Sequence, residues 1–225
     1  MASRHKINRF GVALAAAVVW LCGTAWGASG DLVWAKGGGG GGAEGDVVYS
    51  AALASEGSII VTGSIGSGGS TFGLGELNET VLTSNGMYDI FIACYDSNGN
   101  LIWAKNIGGI GGDTGSSVAF YDDDTFVVTG GFSQTVVFGI GETNETTLIS
   151  TGIRDVFIAK YNLNGELLWA KKAGGSGSDA SGRSVSVSSD GSTYLIGNYD
   201  LTLIFGAGEI NESTITSFGG EDGFI

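Results

Sequence analysis

The segment "DVFIAKYNLNGELLWAKK", from Asp155 to Lys172, decides the fold class of this chain. Phe157, Ala159 and Tyr161 alternate with other residues, so an extended strand would place all three on one face. The two apolar runs are joined through Asn164-Gly165, and an Asn-Gly pair between such runs is the strongest short-range signal for a β-hairpin. The segment therefore predicts two antiparallel strands connected by a tight turn.

The composition indicates a β protein that is rich in turns. The chain has 225 residues with 42 glycines and no proline, and 43% of the residues are hydrophobic. Collagen is excluded because proline and a strict triplet period are absent. Intrinsic disorder is disfavoured because short runs of Ile, Val, Phe, Tyr and Trp recur throughout the chain. The predicted fold class is all-β.

The same hairpin occurs in an earlier copy, "DIFIACYDSNGNLIWAKN" at residues 89–106, and the surrounding sequence repeats with it. Three copies with a period of about 66 residues cover about residues 32–100, 101–166 and 167–225. Each copy contains apolar runs for about four antiparallel strands in two hairpins. Radial repetition of four-stranded sheets is the plan of a β-propeller, so each copy is predicted to form one blade. The residues that keep the period are Gly63, Gly130 and Gly197, with Trp34, Trp103 and Trp169.

The motifs of the repeat resemble a known family. In the second copy "LIWAK", "GGD", "VTG", "FGIGETNET" and "DVFIAKY" follow one another. They are similar to the bacterial secreted β-propeller repeats called SBBP repeats, and the similarity covers about residues 32–225. This resemblance implies a secreted β-propeller, and it brings no catalytic residues with it.

The two ends of the repeat region leave the number of blades open. The region begins with "LVWAK", which corresponds to the fourth strand of a four-stranded repeat. The chain stops inside "EDGFI", which corresponds to a third strand. Because propellers have four to eight blades, the preferred interpretation is an incomplete fragment of a larger propeller. The alternative is that "LVWAK" supplies the missing strand of the last blade.

Residues 1–27 have the pattern of a secretory signal peptide. A basic start precedes an apolar run at residues 11–22, which is too short for a normal membrane-spanning helix, and small residues precede Ala28. An uncleaved membrane anchor is the alternative. The prediction is a mature chain of residues 28–225 that is secreted or held at a bacterial cell surface.

Removal of that segment would leave an acidic chain without histidine. The net charge of the whole chain is −13, and residues 1–27 hold three of its ten basic residues and none of its 23 acidic ones, so 7 − 23 gives −16. Such a chain repels nucleic acids and anionic lipids, so neither a nucleic-acid partner nor membrane insertion is expected. Without His5, it has no histidine for a metal site or for a Ser-His or Cys-His pair.

Acidic residues in glycine-rich loops are the candidate metal ligands. "GGIGGD" and "GGSGSD", which end at Asp113 and Asp179, match the start of a calcium-binding nonapeptide, but they do not stand in tandem. "FGIGETNET" adds Glu142 and Glu145, and Asp155 follows in the same repeat. Carboxylates are calcium ligands in kind, so calcium is the one cofactor left open. The preferred interpretation is a set of solvated loop residues that attract divalent ions diffusely.

Two further residue types have structural interpretations. Cys94 aligns with Lys160 of the next repeat, which predicts a free thiol that is exposed or near a strand end. The repeated tryptophans, of which Trp103 is one, are expected to pack between blades, with sugar stacking as the alternative.

The predicted function is a non-catalytic binding or structural module whose ligand is a protein or a glycan. The same acid pair occurs in every repeat, which is typical of a structural element, whereas a single active site would break the symmetry. Two alternatives remain open. The chain could be the N-terminal part of an extracellular carbohydrate-active enzyme, which needs two carboxylates, or of a calcium-dependent adhesin.

Overall fold

The computed structural model describes residues 23–26, 32–41 and 45–225. These residues form antiparallel strands and turns without a helix, and so without a helix that could span a membrane. The predicted signal peptide lies outside the described residues except for 23–26. The strands in chain order are β1 Gly23–Trp26, β2 Leu32–Lys36, β3 Val47–Leu53, β4 Ile59–Gly66, β5 Ser70–Phe72, β6 Thr80–Leu82, β7 Tyr88–Tyr95, β8 Leu101–Ile107, β9 Thr114–Phe120, β10 Thr125–Phe132, β11 Thr135–Phe138, β12 Thr146–Ile149, β13 Asp155–Asn162, β14 Leu167–Gly174, β15 Ala180–Val187, β16 Thr193–Tyr199, β17 Thr202–Phe205, β18 Ser213–Thr216 and β19 Asp222–Phe224.

The first strand of the second and third sequence copies pairs with the sheet of the copy before it, so a repeat is counted from here on by its sheet. The first two repeats each form a four-stranded antiparallel sheet. The strand order is β3-β4-β7-β8 in the first repeat and β9-β10-β13-β14 in the second, and the third contributes β15-β16-β19. The Asn-Gly pair of the opening segment joins β13 to β14, and Gly165 has a φ of 75°, which a residue without a side chain adopts easily. The prediction of all-β, propeller-type repeats is confirmed.

Each repeat also contains a two-stranded ribbon between its second and third strands. The ribbons are β5-β6, β11-β12 and β17-β18. The prediction of two hairpins per repeat was therefore one hairpin short. In the third repeat the ribbon joins the sheet of the second, because β17 pairs with the end of β14.

The sheets pack face to face through their first strands, which we call the inner strands: β3, β9 and β15. Strand β9 packs against β3 and β4, and β15 packs against β9 and β10. The approach is close at Gly115, where an added Cβ would lie 2.2 Å from Thr62 Oγ1. Gly182 and Thr129 repeat the contact at 2.3 Å. A core of buried aliphatic and aromatic side chains fills the space between the first two sheets.

Strand β2, the "LVWAK" segment, lies beside the first repeat. It pairs with β1, and Trp34 Nε1 donates a hydrogen bond to Ser97 O at 3.2 Å. In the described residues the third sheet ends at β19, and β2 pairs with β1, so β2 does not supply the missing strand of the third sheet. The alternative in which "LVWAK" closes that sheet is not the arrangement observed.

Of the two predicted settings of Cys94, exposed or near a strand end, the structure has the second, because Cys94 precedes the last residue of β7. Its side chain is buried in the core between the first two sheets. Its counterpart Lys160 is half-buried for a different reason, because its ammonium nitrogen lies 3.2 Å from the centroid of the Tyr121 ring. A long chain that reaches a nearby ring can occupy a position that is otherwise apolar, so alignment with lysine did not report exposure.

Cys94 is expected to resist alkylation in the folded protein. Burial, together with Glu56 and Asp96, raises the pKa of the thiol to about 11, and the thiolate is the reactive form. In a Cys22→Ser variant, iodoacetamide at mildly alkaline pH should leave Cys94 unmodified until guanidinium chloride unfolds the chain. Mass spectrometry that finds rapid labelling without denaturant would contradict this burial.

Candidate functional site

A lysine–glutamate pair connects each outer strand to the repeat that follows it. Lys105 of β8 lies 2.8 Å from Glu142, and Lys36 of β2 lies 2.7 Å from Glu76. Glu209 and Lys171 repeat the pair in the third copy. The first glutamate of "FGIGETNET" and its counterparts therefore join neighbouring repeats.

The remaining polar atoms of this loop also bind other residues of the repeats. We call the residues that connect strands and turns in this way the frame. Glu142 Oε2 accepts a hydrogen bond from Leu167 N at 2.6 Å, and Asn144 Nδ2 donates to Leu167 O at 3.1 Å. Glu145 Oε2 accepts from Gly141 N at 2.7 Å. Burial raises the pKa of Glu142, but the hydrogen bonds from Lys105 and Leu167 N lower it by more, so the pKa lies below its ordinary value.

Asp113 holds the glycine-rich connection in place. Its carboxylate is buried and accepts hydrogen bonds from Gly109 N at 2.9 Å and from Ser133 N at 3.1 Å. Asp46 does the same in the first repeat, where it accepts from Gly40 N and Gly66 N. Sequence analysis missed Asp46 because the glycine pattern before it is irregular, although its spacing from Asp113 matches the repeat.

Asp155 and Asp179 have different surroundings. Asp155 is buried and accepts hydrogen bonds from Thr151 N at 2.9 Å and from Lys172 Nζ at 2.7 Å. Asp179 is exposed, and its backbone N donates to Asp200 Oδ1 at 2.6 Å. The two calcium-like motifs therefore end in one buried and one exposed carboxylate.

The calcium candidates are spread over several loops. Within the described residues, no group of three or more His, Cys, Asp or Glu side chains is arranged to hold a metal ion. Four of the five candidate carboxylates, all except that of Asp179, accept hydrogen bonds from the protein itself. Calcium binding stays a prediction.

Two of the three repeated tryptophans, Trp34 and Trp103, pack on the hairpin turn of the following repeat, whereas Trp169 is exposed. Trp103 is half-buried, and its Nε1 donates to Leu163 O at 2.9 Å. Its ring covers Gly165, where an added Cβ would lie 3.0 Å from ring atoms. Trp34 covers Gly99 in the same way. These contacts fit the packing interpretation of the repeated tryptophans.

The ion pair between Lys105 and Glu142 is expected to contribute measurably to stability. A double-mutant cycle with Lys105→Met and Glu142→Gln should give a coupling free energy of about 1 kcal/mol. The matched control is the pair of Lys171 and Glu209, whose side chains are 57% and 52% exposed, against 38% and 21% here. Its coupling should stay below about 0.5 kcal/mol, and equal values in chemical denaturation would contradict the difference.

Asp113 is expected to titrate well above an ordinary aspartate. Burial raises its pKa to about 6, against the lowering effect of its two amide hydrogen bonds. The folded chain then binds this proton more tightly, so the group stabilises the fold at low pH and the contribution is lost as the pH rises from 3.8 to about 6. Carbon-13 NMR titration should give midpoints of about 6 for Asp113 and about 2 for Asp190, whose pKa is lowered by hydrogen bonds from Ser188 and Ser192. A midpoint of 3.8 for Asp113 would show that its burial does not disfavour the charge.

A cleft of about 590 Å³ lies where the three inner strands converge. Each inner strand has a β-bulge at the same place, so that one residue faces no partner across the ladder. The bulged residues are Tyr49, Ser116 and Arg183, and all three line the cleft. A bulge redirects a side chain, and bulges are frequent beside functional sites. We call this feature the bulge cleft.

A second repeated position also contributes to the bulge cleft. Tyr88 begins β7, and Arg154 stands at the matching place in the second repeat, immediately before β13. Both line the cleft, and Arg154 Nη2 donates to the Tyr88 hydroxyl at 3.0 Å. Glu221 occupies the matching place in the third repeat and contacts Asn198, to which Arg183 Nε donates at 2.5 Å. The cleft is thus built from two positions whose backbone repeats and whose side chains differ.

Sequence analysis missed the bulge cleft although the signal was present. A site that breaks the symmetry of the repeats was the expected sign of function. Tyr49, Ser116 and Arg183 differ, while each is followed by the same residue, a serine. What sequence could not supply was the bulge, which turns these side chains toward one another.

Comparison with known proteins agrees with the repeat architecture. No protein-family model matches the chain. A stretch of 126 residues, 55% of this chain, is 29% identical to an uncharacterised WD repeat-containing protein of Acanthamoeba polyphaga mimivirus, of which it spans 9%. The chain is a β-propeller-type repeat protein. This likeness supports a repeat-based binding or structural module, the coarser form of the predicted function.

Proposed function

We propose that this protein is a non-catalytic binding module that is secreted or displayed at a bacterial cell surface, and that it binds its ligand in the bulge cleft. The observation that carries the proposal is the difference between frame and cleft. The lysine–glutamate pair recurs in every repeat, whereas the cleft positions hold Tyr49, Ser116 and Arg183 in one set and Tyr88 and Arg154 in the other. Recognition of one ligand requires such differences, and packing does not.

The use of the acid pairs supports a role without catalysis. Glycoside hydrolysis needs two carboxyl groups that reach the substrate, one as general acid and the other as general base or nucleophile. Glu142 is held by Lys105 and Leu167 N, and Glu145 is held by Gly141 N. Both carboxylates therefore stabilise the second repeat through hydrogen bonds, as their counterparts do in the first.

The resemblance to SBBP repeats and the pattern of residues 1–27 support export. The apolar run at residues 11–22 follows a basic start, and small residues precede Ala28.

Export is tested with the full chain, tagged at its C-terminus and expressed in a bacterium. We expect N-terminal sequencing of the extracellular product to begin at Ala28. A product in the membrane fraction that still starts at Met1 would overturn the proposal of export.

The absence of catalysis is tested on the same product. Incubation with polysaccharide and peptide substrates should give no turnover. Hydrolysis that is lost in Glu142→Gln but kept in Glu209→Gln would assign an active site to the second repeat and overturn the non-catalytic role. The second variant is the matched control because it breaks the corresponding ion pair in the third repeat.

A further inference from the structure

We propose that the bulge cleft binds a saccharide that carries one carboxylate, of the uronic acid class. This inference rests on the proposed function, because it names the ligand of the same cleft.

The bulge cleft carries positive charge. Seven basic residues follow residue 27, five lysines and two arginines. Each lysine has a partner: four form ion pairs with carboxylates and Lys160 lies over the Tyr121 ring. Among the described residues, neither Arg154 nor Arg183 forms an ion pair, and both line the cleft. The basic groups that are not used by the frame are therefore gathered at one place.

Guanidinium groups match carboxylates in charge and in hydrogen-bond geometry. Arginine presents a planar fork of donors that can bind both oxygens of one carboxylate. The described residues that line the cleft include no aspartate or glutamate, so no carboxylate among them competes with a ligand for Arg154 and Arg183. The charge of the cleft is opposite to that of the whole chain, whose net charge is −13.

The other residues that line the cleft suit a sugar ring. Tyr49 and Tyr88 supply two aromatic rings, and Thr114, Ser116 and Ser181 supply hydroxyl groups. An aromatic ring offers a flat apolar face with a polar edge, which suits the C–H face and hydroxyl rim of a sugar ring. The cleft volume of about 590 Å³ lies in the range of small-ligand sites.

The acidic character of the whole chain limits the number of negative charges that the ligand can carry. A chain with a net charge of −13 repels polyanions through its long-range field. Two arginines can neutralise a single carboxylate locally, but they cannot offset the repulsion of a long acidic polymer. A sugar residue with one carboxylate fits both conditions better than a strongly acidic peptide.

Isothermal titration calorimetry on the exported protein tests this assignment. The probes are methyl glucuronoside, methyl glucoside, acetate and a tripeptide of glutamates. We expect methyl glucuronoside to bind with a dissociation constant on the order of 1 mM, and the other three to bind at least about tenfold more weakly, since each lacks the sugar or the single charge. Arg154→Gln and Arg183→Gln should each weaken binding by about tenfold.

Two further variants separate recognition from folding and net charge. Lys171→Gln removes the same charge outside the cleft and should leave affinity unchanged. Ser116→Tyr keeps both arginines and fills the cleft with the side chain that the first repeat has at this position, so it should abolish binding while circular dichroism stays unchanged.

The outcomes distinguish this inference from the proposed function. Equal binding of acetate, or tighter binding of the tripeptide, would overturn the saccharide class. Failure of methyl glucuronoside to bind a folded, exported chain would overturn this inference and leave the proposed export untouched. Retention of binding in Ser116→Tyr would show that the sugar binds elsewhere and would overturn the assignment to the cleft.

Discussion

Gly130→Ala is expected to destabilise the protein by about 3 to 5 kcal/mol, or to prevent folding. Gly130 lies in β10 between β9 and β13. An added Cβ would lie 1.8 Å from Thr114 O and 3.0 Å from a ring carbon of Phe157. The clash with Thr114 is with backbone, so relief requires β9 and β10 to separate at the bulge rather than a change of rotamer. Denaturant unfolding of the variant and the wild type measures the loss.

Gly41→Ala is the matched control for this substitution. Among the described residues, no atom lies within 4 Å of an added Cβ at Gly41, and its backbone is not in the left-handed region. Its effect should stay within about 0.5 kcal/mol. If Gly130→Ala were as stable as Gly41→Ala, the close approach of β9 and β10 would be wrong.

Phe126→Ala is expected to cost about 3 to 5 kcal/mol, because it removes the centre of an aromatic cluster that spans two repeats. Phe126 is fully buried, and its ring stacks on Tyr161 with centroids 5.6 Å apart. Trp103 of the first repeat lies 6.5 Å away on a nearly parallel plane, and Phe120 makes an edge contact at 6.2 Å. The substitution therefore opens a cavity and separates Trp103 from the second sheet. Urea unfolding followed by tryptophan fluorescence reports both effects.

Phe218→Ala controls for the loss of a phenyl ring without burial. Phe218 is fully exposed, so its removal should change the free energy of unfolding by less than about 0.5 kcal/mol. Phe126→Leu should fall between the two, since it keeps apolar volume but loses the ring contacts. Similar losses for Phe126→Ala and Phe218→Ala would contradict the position of the core.

The repeats and the strands of the sheets could be predicted because their signals are local. Alternation and the Asn-Gly turns depend on neighbouring residues, and the spacing of Gly63, Gly130 and Gly197 can be read directly from the chain. The ribbons were missed in part because their strands are only three or four residues long. A run of that length has too few residues to establish a period.

The candidate site was predicted less well because it depends on contacts between distant residues. Cys94 looked exposed because its counterpart is Lys160, and the ring that accommodates that lysine belongs to another loop. Arg154 and Arg183 lie in different hairpins of different repeats, and the bulge that turns Arg183 toward the cleft leaves no mark in the alternation of the sequence. The acidic loops attracted attention because carboxylates are conspicuous, yet most of their oxygens accept hydrogen bonds within the frame.

The bulges of the inner strands have a consequence for how such a protein can change. Tyr49, Ser116 and Arg183 have no partner across the ladder, and an aromatic, a small and a charged side chain already occupy the same backbone site. Substitution there should leave the sheets intact, whereas substitution at Gly130 or Phe126 should not. The fold therefore offers a few positions at which new specificities can be selected without loss of foldability. A library randomised at these three residues would retain a large fraction of folded members, and mutational drift at the same positions would diversify binding while the scaffold is preserved.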